Sequence, residues 1–341
     1  MKNIGINGLG RIGRLVFHHY LKEPSDDVQI VAANDLSTNE DLAYLLKYDS
    51  VYGVSPFQFN HDEENILIKK SGSVQEEKKL KIFHEKNPEN IPWDDLDVDI
   101  VLECTGVFRK REDAAKHLES GVSKVIISAP SKSADLTIVQ GVNEKEYDAS
   151  KHDIISNASC TTNSLAPAVK VLHDAFTIKH LLVTTIHAYT TSQNLVDGDS
   201  RKRRRGRAAA VNLVPTTTGA AKATGLVLPE LKDKMDAMAV RVPVVDGAIT
   251  DIVAELTEEV TVEKINDAFK KAANSNMKGI LRYTEEELVS SDIIGDPHSG
   301  IYDSKSTRVV DKHSAKVLVW YDNEGGYAKK LLELAEFISN K

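Results

Sequence analysis

Two cysteines in 341 residues, Cys104 and Cys160, are too few for a disulfide framework, so the chain reads as a thiol-bearing protein of a reducing compartment. Long apolar runs are equally absent. No stretch reaches the ~20 residues that span a bilayer, and Met1-Lys2-Asn3 leads straight into a short apolar strand without the hydrophobic region of a signal peptide. Positive charge is in deficit, with 43 basic residues against 51 acidic for a net of −8, which removes any global attraction to nucleic acid or membrane. There is no internal repeat, low-complexity tract or Pro/Ser-rich linker. A soluble, cytoplasmic protein is expected. What the chain does have is 41% hydrophobic content and a length that exceeds a comfortable single core, so two domains are expected.

The stretch that organises the reading is Ser156-Asn157-Ala158-Ser159-Cys160-Thr161-Thr162-Asn163. Strand-like His152-Asp153-Ile154-Ile155 precedes it, and Ser164 to Leu172 follows with helical apolar spacing, which puts Cys160 at a helix N-terminus. Unpaired N–H groups and the positive dipole end there favour a thiolate. A small buried hydrophobe is the plainer reading of a cysteine, but the hydroxyl and amide residues flanking Cys160 make a poor greasy core. Cys104, inside the apolar run Val98 to Gly106, fits that plainer reading.

Near the start, the strand Ile4-Gly5-Ile6-Asn7 turns through Gly8-Leu9-Gly10-Arg11-Ile12-Gly13-Arg14 into a helix, a G-x-G-x-x-G fingerprint in the right context. Gly8 suits the tight turn, Gly10 the approach of a pyrophosphate, and Gly13 the packing of helix on strand. A second strand, Val28 to Ala33, ends in Asn34-Asp35, which places a carboxylate 22 positions after Gly13, where a ribose-binding acid belongs. Thr105 and Gly106 end the strand from Val98, and Ser128 falls in the strand from Lys124 to Pro130. The candidate dinucleotide contacts are therefore Gly8, Gly10, Arg11, Ile12, Gly13, Asn34, Asp35, Thr105, Gly106 and Ser128.

Helices are expected over Asp41 to Lys47 and Glu112 to Leu118, with an antiparallel excursion from Phe57 to Phe83 and Trp93 as packing. After Cys160 the pattern changes to long strands, Leu181 to Tyr189, Met238 to Val244, Ile249 to Leu256, Gly279 to Tyr283 and Lys316 to Tyr321, with helices at Val260 to Ala273 and Glu324 to Ile338. Thr216 to Lys222 reads alone as a hydroxyl-rich turn. The fold class that follows is an α/β Rossmann doubly wound parallel sheet plus an α+β catalytic domain with a mainly antiparallel sheet.

Three motifs, the octet around Cys160, Thr184-Thr185-Ile186-His187-Ala188-Tyr189-Thr190 and Tyr321-Asp322-Asn323-Glu324-Gly325-Gly326-Tyr327, resemble the phosphorylating glyceraldehyde-3-phosphate dehydrogenase family. The likeness covers nearly the whole chain. It implies residues 1–159 as dinucleotide-binding domain, 160–323 as catalytic domain and 324–341 as a C-terminal helix returning to the first. It implies oxidation of glyceraldehyde 3-phosphate with inorganic phosphate and NAD, with NADP as the alternative cofactor, through a thiohemiacetal and thioester on Cys160. His187, otherwise one of eleven histidines, becomes the base. The substrate-phosphate site maps onto Thr190 and Arg241, and the inorganic-phosphate site onto Ser159, Thr218 and Arg205, with Thr161 and Gly219 beside them. Asn323 is expected to hold the nicotinamide carboxamide, with Tyr327 nearby, and no metal is implied. The family is glycolytic or gluconeogenic and homotetrameric. Erythrose-4-phosphate dehydrogenase is the neighbouring activity, and the basic run Arg201 to Arg207 leaves nucleic-acid binding as a secondary role. The chain departs from the family pattern at Ser164, Gly198-Asp199, Val244 to Ile249 and Gly325.

Overall fold

A computed structural model gives the structure of residues 1–70, 72 and 77–341. The chain divides into two compact units: Met1–Thr137 with Glu146–Ala158 and Ala328–Lys341, and Ile138–Lys145 with Ser159–Tyr327. No helix among the described residues is long and apolar enough to cross a membrane.

The first unit is built on strands β1 (Lys2–Asn7), β2 (Val28–Asn34), β3 (Phe57–His61), β4 (Asn65–Lys70), β5 (Lys78–Phe83), β6 (Ile100–Glu103), β7 (Lys124–Ile127), β8 (Leu136–Thr137) and β9 (Ile154–Ser156). They lie in the order β8-β9-β7-β6-β1-β2-β5-β4-β3. All pairs from β8 to β5 are parallel, and only β5/β4 and β4/β3 are antiparallel. The central strands are short and apolar because both faces are covered: Ile4, Ile6, Val101, Leu102, Val125 and Ile126 are all buried. Each such side chain contributes roughly 1.5–3 kcal/mol on leaving water. Trp93 is fully buried in this core, and a Cβ on Gly5 would come within 2.6 Å of its ring.

The excursion expected over Phe57 to Phe83 has antiparallel pairs but a different end. Strand β5 pairs in parallel with β2, Ala32 facing Lys81, so the segment extends the main sheet. Residues 71 and 73–76 of that stretch lie outside the described residues. The helix expected over Glu112 to Leu118 is a single α-turn, Arg111–Ala114, that tightens into a 3-10 helix over Ala115–Ser120.

The second unit holds β10 (Ile178–Ala188), β11 (Val214–Thr217), β12 (Met235–Val242), β13 (Ala248–Leu256), β14 (Leu281–Thr284), β15 (Gly300–Val310) and β16 (Ser314–Tyr321), in the order β11-β12-β10-β13-β16-β15-β14. Two pairs, β12/β10 and β15/β14, are parallel and the rest antiparallel. Two strands escaped the sequence reading. Val214–Thr217 is hydroxyl-rich and looked like part of a turn, while Gly300–Val310 hides its inward face behind polar residues: Asp303, Ser304 and Thr307 are buried, and the Thr307 hydroxyl donates to Asn266 Oδ1 (2.8 Å). Expected helices stand close to their predicted bounds. Val262–Ala273 is capped by Thr261, whose hydroxyl accepts from Lys264 N–H (3.3 Å), and it buries Ile265, Phe269 and Ala272 at helical spacing.

Candidate active site

The helix Cys160–Phe176 begins at the cysteine itself. Ser159 is its N-cap, in extended conformation, with Oγ accepting from Thr162 N–H at 3.1 Å. The Ser-x-x-Thr spacing of the octet thus makes the cap, and the cap leaves Cys160 in the first turn. Strand β10 ends at Ala188, so His187 sits at its mouth, and Cys160 Sγ lies 3.5 Å from His187 Nε2. The other ring nitrogen is 2.7 Å from the Ala188 carbonyl, which can only accept; Nδ1 therefore carries the proton and Nε2 is left bare for the thiol.

Register fixes the third member. Strand β12 runs parallel to β10 with Arg241 opposite His187. Arg241 Nη1 donates to Ala188 O (2.8 Å) and Thr190 Oγ1 (3.2 Å), so two donors converge on one carbonyl and the guanidinium stands 3.2 Å from Nδ1. Burial first, then this charge, pushes His187 down to about 3. Burial likewise pushes the Cys160 thiol up, against the opposing pull of Arg241 and of the Thr161 hydroxyl and N–H. The helix N-terminus alone had suggested a thiolate; burial weighs the other way, toward neutral thiol and neutral imidazole, although Cys160 keeps some access to solvent.

Arg205 extends the cationic wall. Its Nε donates to Thr216 Oγ1 (3.0 Å), Nη1 to Ser192 Oγ (3.2 Å) and Nη2 to the Thr217 carbonyl (3.1 Å). Ser192 Oγ lies 2.9 Å from Thr190 Oγ1, which closes a chain from Arg241 to Arg205 made only of hydroxyls. Lys202 Nζ donates to Thr217 Oγ1 at 2.6 Å. None of these recorded bonds goes to a carboxylate, a composition suited to an anionic ligand. Thr218 Oγ1 accepts from Ala220 N–H (3.2 Å) and Gly219 caps the helix Ala220–Val227, so both shape the hydroxyl-rich loop. Asn323 is buried with Oδ1 unpartnered, a group that awaits a donor, and Tyr327 is buried close behind it in sequence.

Sequence reasoning missed Ser192, Lys202 and Tyr321. Tyr321 is buried, with its hydroxyl 2.9 Å from Thr161 Oγ1 and 2.7 Å from Thr185 Oγ1 and its ring edge-on to His187 (centroids 5.9 Å, 78°). It ties the helix of Cys160 to the strand of His187, and the aromatic that ends β16 just before Asp322-Asn323 was the available signal. The departure at Val244 to Ile249 brings a fully buried Asp246, whose Oδ1 accepts Gly247 N–H (2.8 Å) and whose charge adds to what raises Cys160. Ser164 stands 3.3 Å from Thr250 Oγ1.

In the first unit a cleft of about 500 Å³ is walled by Asn7, Gly8, Gly10, Asn34, Asp35 and Thr105, among others. Gly8 has φ +95° and a Cβ there would strike Thr105 N at 2.9 Å; a Cβ on Gly13 would sit 2.0 Å from Gly8 O. Asp35 Oδ2 accepts from Leu9 N–H (2.8 Å) and Oδ1 from Ser37 N–H (2.9 Å), which holds the carboxylate at the wall with lone pairs to spare. Arg11 is paired to Asp49, Ile12 is half-buried on the helix Arg11–Lys22, and Ser128 N–H donates to Glu103 O (3.0 Å); these and Gly106 are not among the wall residues.

Comparison with known proteins finds relatives along the whole chain. Residues 2–111 match the family model described as glyceraldehyde 3-phosphate dehydrogenase, NAD binding domain, and residues 159–323 match that of its C-terminal domain. The chain is 52% identical over 338 residues to the glyceraldehyde-3-phosphate dehydrogenase of Geobacillus stearothermophilus, covering 99% of this chain and 98% of that protein. It is 51% identical over 338 residues to glyceraldehyde-3-phosphate dehydrogenase 2 of Streptomyces avermitilis and 50% to glyceraldehyde-3-phosphate dehydrogenase 1 of Bacillus subtilis, with the same coverage of both chains in each case.

Proposed function

From its membership of the glyceraldehyde-3-phosphate dehydrogenase family, to which this chain belongs, we propose a residue-level account of an NAD-dependent oxidation of glyceraldehyde 3-phosphate to an acyl phosphate. The observation that carries it is the Cys160–His187 contact, with the bare Nε2 facing the thiol. As the aldehyde arrives, the thiol proton passes to His187 Nε2, sulfur bonds to the carbonyl carbon, and His187 returns the proton to the former carbonyl oxygen, giving a thiohemiacetal. His187 then holds the hydroxyl proton as that carbon is oxidised to a thioester. NAD, when bound, would supply the hydride acceptor. A phosphate oxygen attacks the thioester, the C–S bond breaks, and Cys160 leaves as thiolate to recover its proton.

Arg241 and Thr190 hold the phosphate of the aldehyde; Arg205, with Ser159 and Thr218, holds the attacking phosphate. That Arg205 and Arg241 bond to hydroxyls and carbonyls, with no carboxylate among these partners, supports both assignments. For NAD, the glycine turn of the first unit, crowded at Gly8 and Gly13 and open at Gly10, and its Asp35 carboxylate fit a pyrophosphate and a ribose diol; in the second unit, the unpartnered Asn323 Oδ1 fits a carboxamide.

We read the working form as a cytoplasmic homotetramer. Exposed apolar side chains at Leu195, Val196, Val211 and Leu213 support the assembly, and sedimentation tests it. Against a nucleic-acid role weighs the engagement of half of the basic run: Arg205 and Lys202 face Thr216 and Thr217, and Arg207 pairs with Asp197 (2.8 Å), which leaves Arg201, Arg203 and Arg204 exposed. The deciding measurement compares kcat/KM for glyceraldehyde 3-phosphate and erythrose 4-phosphate, each with and without phosphate. A preference for erythrose 4-phosphate, or turnover indifferent to phosphate, rejects this reading.

A further inference from the structure

At the end of β6 the carboxylate of Glu103 is buried, 1% exposed, directly behind the wall of the cleft in the first unit. All its neighbours are donors. Oε1 accepts from the N–H of Thr105 (2.9 Å) and from the Thr105 hydroxyl; Oε2 accepts from Asn7 Nδ2 (2.6 Å) and faces His117 Nε2 at 3.2 Å. The far nitrogen of His117, Nδ1, is 3.0 Å from Trp93 Nε1, and an indole N–H only donates. Nδ1 is therefore bare, and the single ring proton sits on Nε2, aimed at Glu103. The 3.4 Å approach of Asn7 Nδ2 to His117 Nε2 is then two donors meeting on one oxygen. Asn7 Oδ1 in turn accepts from Asn34 Nδ2 (2.9 Å), its register partner on the adjacent strand β2.

This arrangement decides what Thr105 can offer a ligand. Its N–H and its hydroxyl hydrogen are both directed at Glu103, and its hydroxyl oxygen also accepts from Val107 N–H (3.1 Å). What remains is acceptor capacity, which fits a hydroxyl or amide N–H of the ligand and disfavours a phosphate oxygen. The geometry points to Glu103, backed by His117 and Trp93, as a positioning residue for the dinucleotide: it orients Thr105 and Asn7 as cleft walls without touching the reacting carbon. The inference rests on the reading of this cleft as the NAD site.

The test is Glu103→Gln, whose amide arm must present hydrogens to one pair of donors. The dissociation constant and KM for NAD should rise roughly tenfold or more, as for loss of a hydrogen bond to a charged group, while kcat at saturating NAD stays within about threefold. The rate of Cys160 alkylation, measured without cofactor, should match the unaltered protein and certifies the fold. Because Glu103 acts through Thr105, Thr105→Val should weaken NAD similarly, and the double variant should be no worse than the worse single one. NAD affinity within twofold in folded Glu103→Gln, or fully additive losses, overturns the inference. If Glu103→Gln is not recovered folded, Thr105→Val alone decides by the same twofold criterion. Asp35→Ala runs in parallel: if it too leaves NAD binding unchanged, the cleft is not the NAD site, whereas an effect there without one at Glu103 rejects the positioning role alone.

Discussion

His187 Nδ1 is 2.7 Å from the carbonyl of the next residue, Ala188, and that short contact sets the chemistry of Cys160 on the other side of the ring. With the proton fixed on Nδ1, His187 meets the thiol as a base at Nε2, 3.5 Å away. Burial and Arg241 hold the imidazole down to about 3, so no imidazolium is present near neutrality to stabilise a resting thiolate. In the protein without ligands, alkylation of Cys160 by iodoacetamide should therefore climb with pH, about tenfold or more between pH 7 and 9, without a plateau at pH 5 to 7. A flat, fast rate across that acidic range would mean a preformed ion pair. Replacement His187→Asn should slow alkylation at pH 7, because the thiol then loses its proton acceptor.

Arg241 has two separable effects, which Arg241→Leu should reveal together. Loss of a charge-assisted contact to the substrate phosphate, roughly 1.5–3 kcal/mol, should lower kcat/KM for the phosphorylated aldehyde about ten- to a hundredfold, with a smaller effect on an unphosphorylated one. Removing a positive charge 3.2 Å from Nδ1 should also let His187 rise from about 3 toward the ordinary histidine value. Histidine titration by NMR reads the second effect, and equal losses for both aldehydes would place Arg241 away from the phosphate.

His18 makes a prediction that is independent of the active site. It lies on the helix Arg11–Lys22, edge-on to Phe59 (5.7 Å), and burial, then Lys22, pushes it down to about 4. The unfolded chain takes up a proton near pH 6.5 that the folded protein refuses, so stability is full above that pH and falls as pH drops toward 4. At pH 4.5 the loss from this one group is roughly 2–3 kcal/mol. Urea unfolding at pH 7.5 and 4.5 should show a smaller pH difference in His18→Gln. An unchanged difference would show that His18 titrates normally in the fold.

How much of this was legible in the sequence depended on whether a residue's role is local. Ser159 could be read as a helix cap and Gly8 as a tight turn because each is decided by neighbours a few positions away. The strand β15 could not, since its buried Asp303, Ser304 and Thr307 look like a loop until distant partners such as Asn266 are in place. The same holds within the sites. Arg241 reaches His187 through a strand register spanning 54 positions, and Tyr321 joins Thr161 across 160. Local pattern carries no such distances; only the family resemblance singled out Arg241, and nothing singled out Tyr321. Burial explains the remaining difference, because a helix N-terminus predicts an acidic thiol and cannot say how far the surrounding residues desolvate it.

The cofactor choice rests on Asp35. Leu9 N–H and Ser37 N–H each hold one of its oxygens, so the carboxylate is fixed at the wall and cannot swing away from a ribose. Both oxygens retain lone pairs for the 2′ and 3′ hydroxyls, whereas a 2′-phosphate would meet a fixed like charge. The groove alongside, which shares Leu36 with the cleft, is lined by Glu40, Asp62 and Glu63 and repels the same phosphate. Opposing them is Lys86, a cation among the cleft's wall residues. Three carboxylates beside a fixed fourth outweigh one lysine, so kcat/KM should favour NAD over NADP by about tenfold or more, the scale of one repelled charge. Asp35→Ala should move the ratio toward NADP, mainly by weakening NAD, and adding Lys86→Ala should cancel the part of that shift that comes from NADP. Equal or better kinetics with NADP in the unaltered protein, together with an unmoved ratio in Asp35→Ala, would show that the choice is made by other residues.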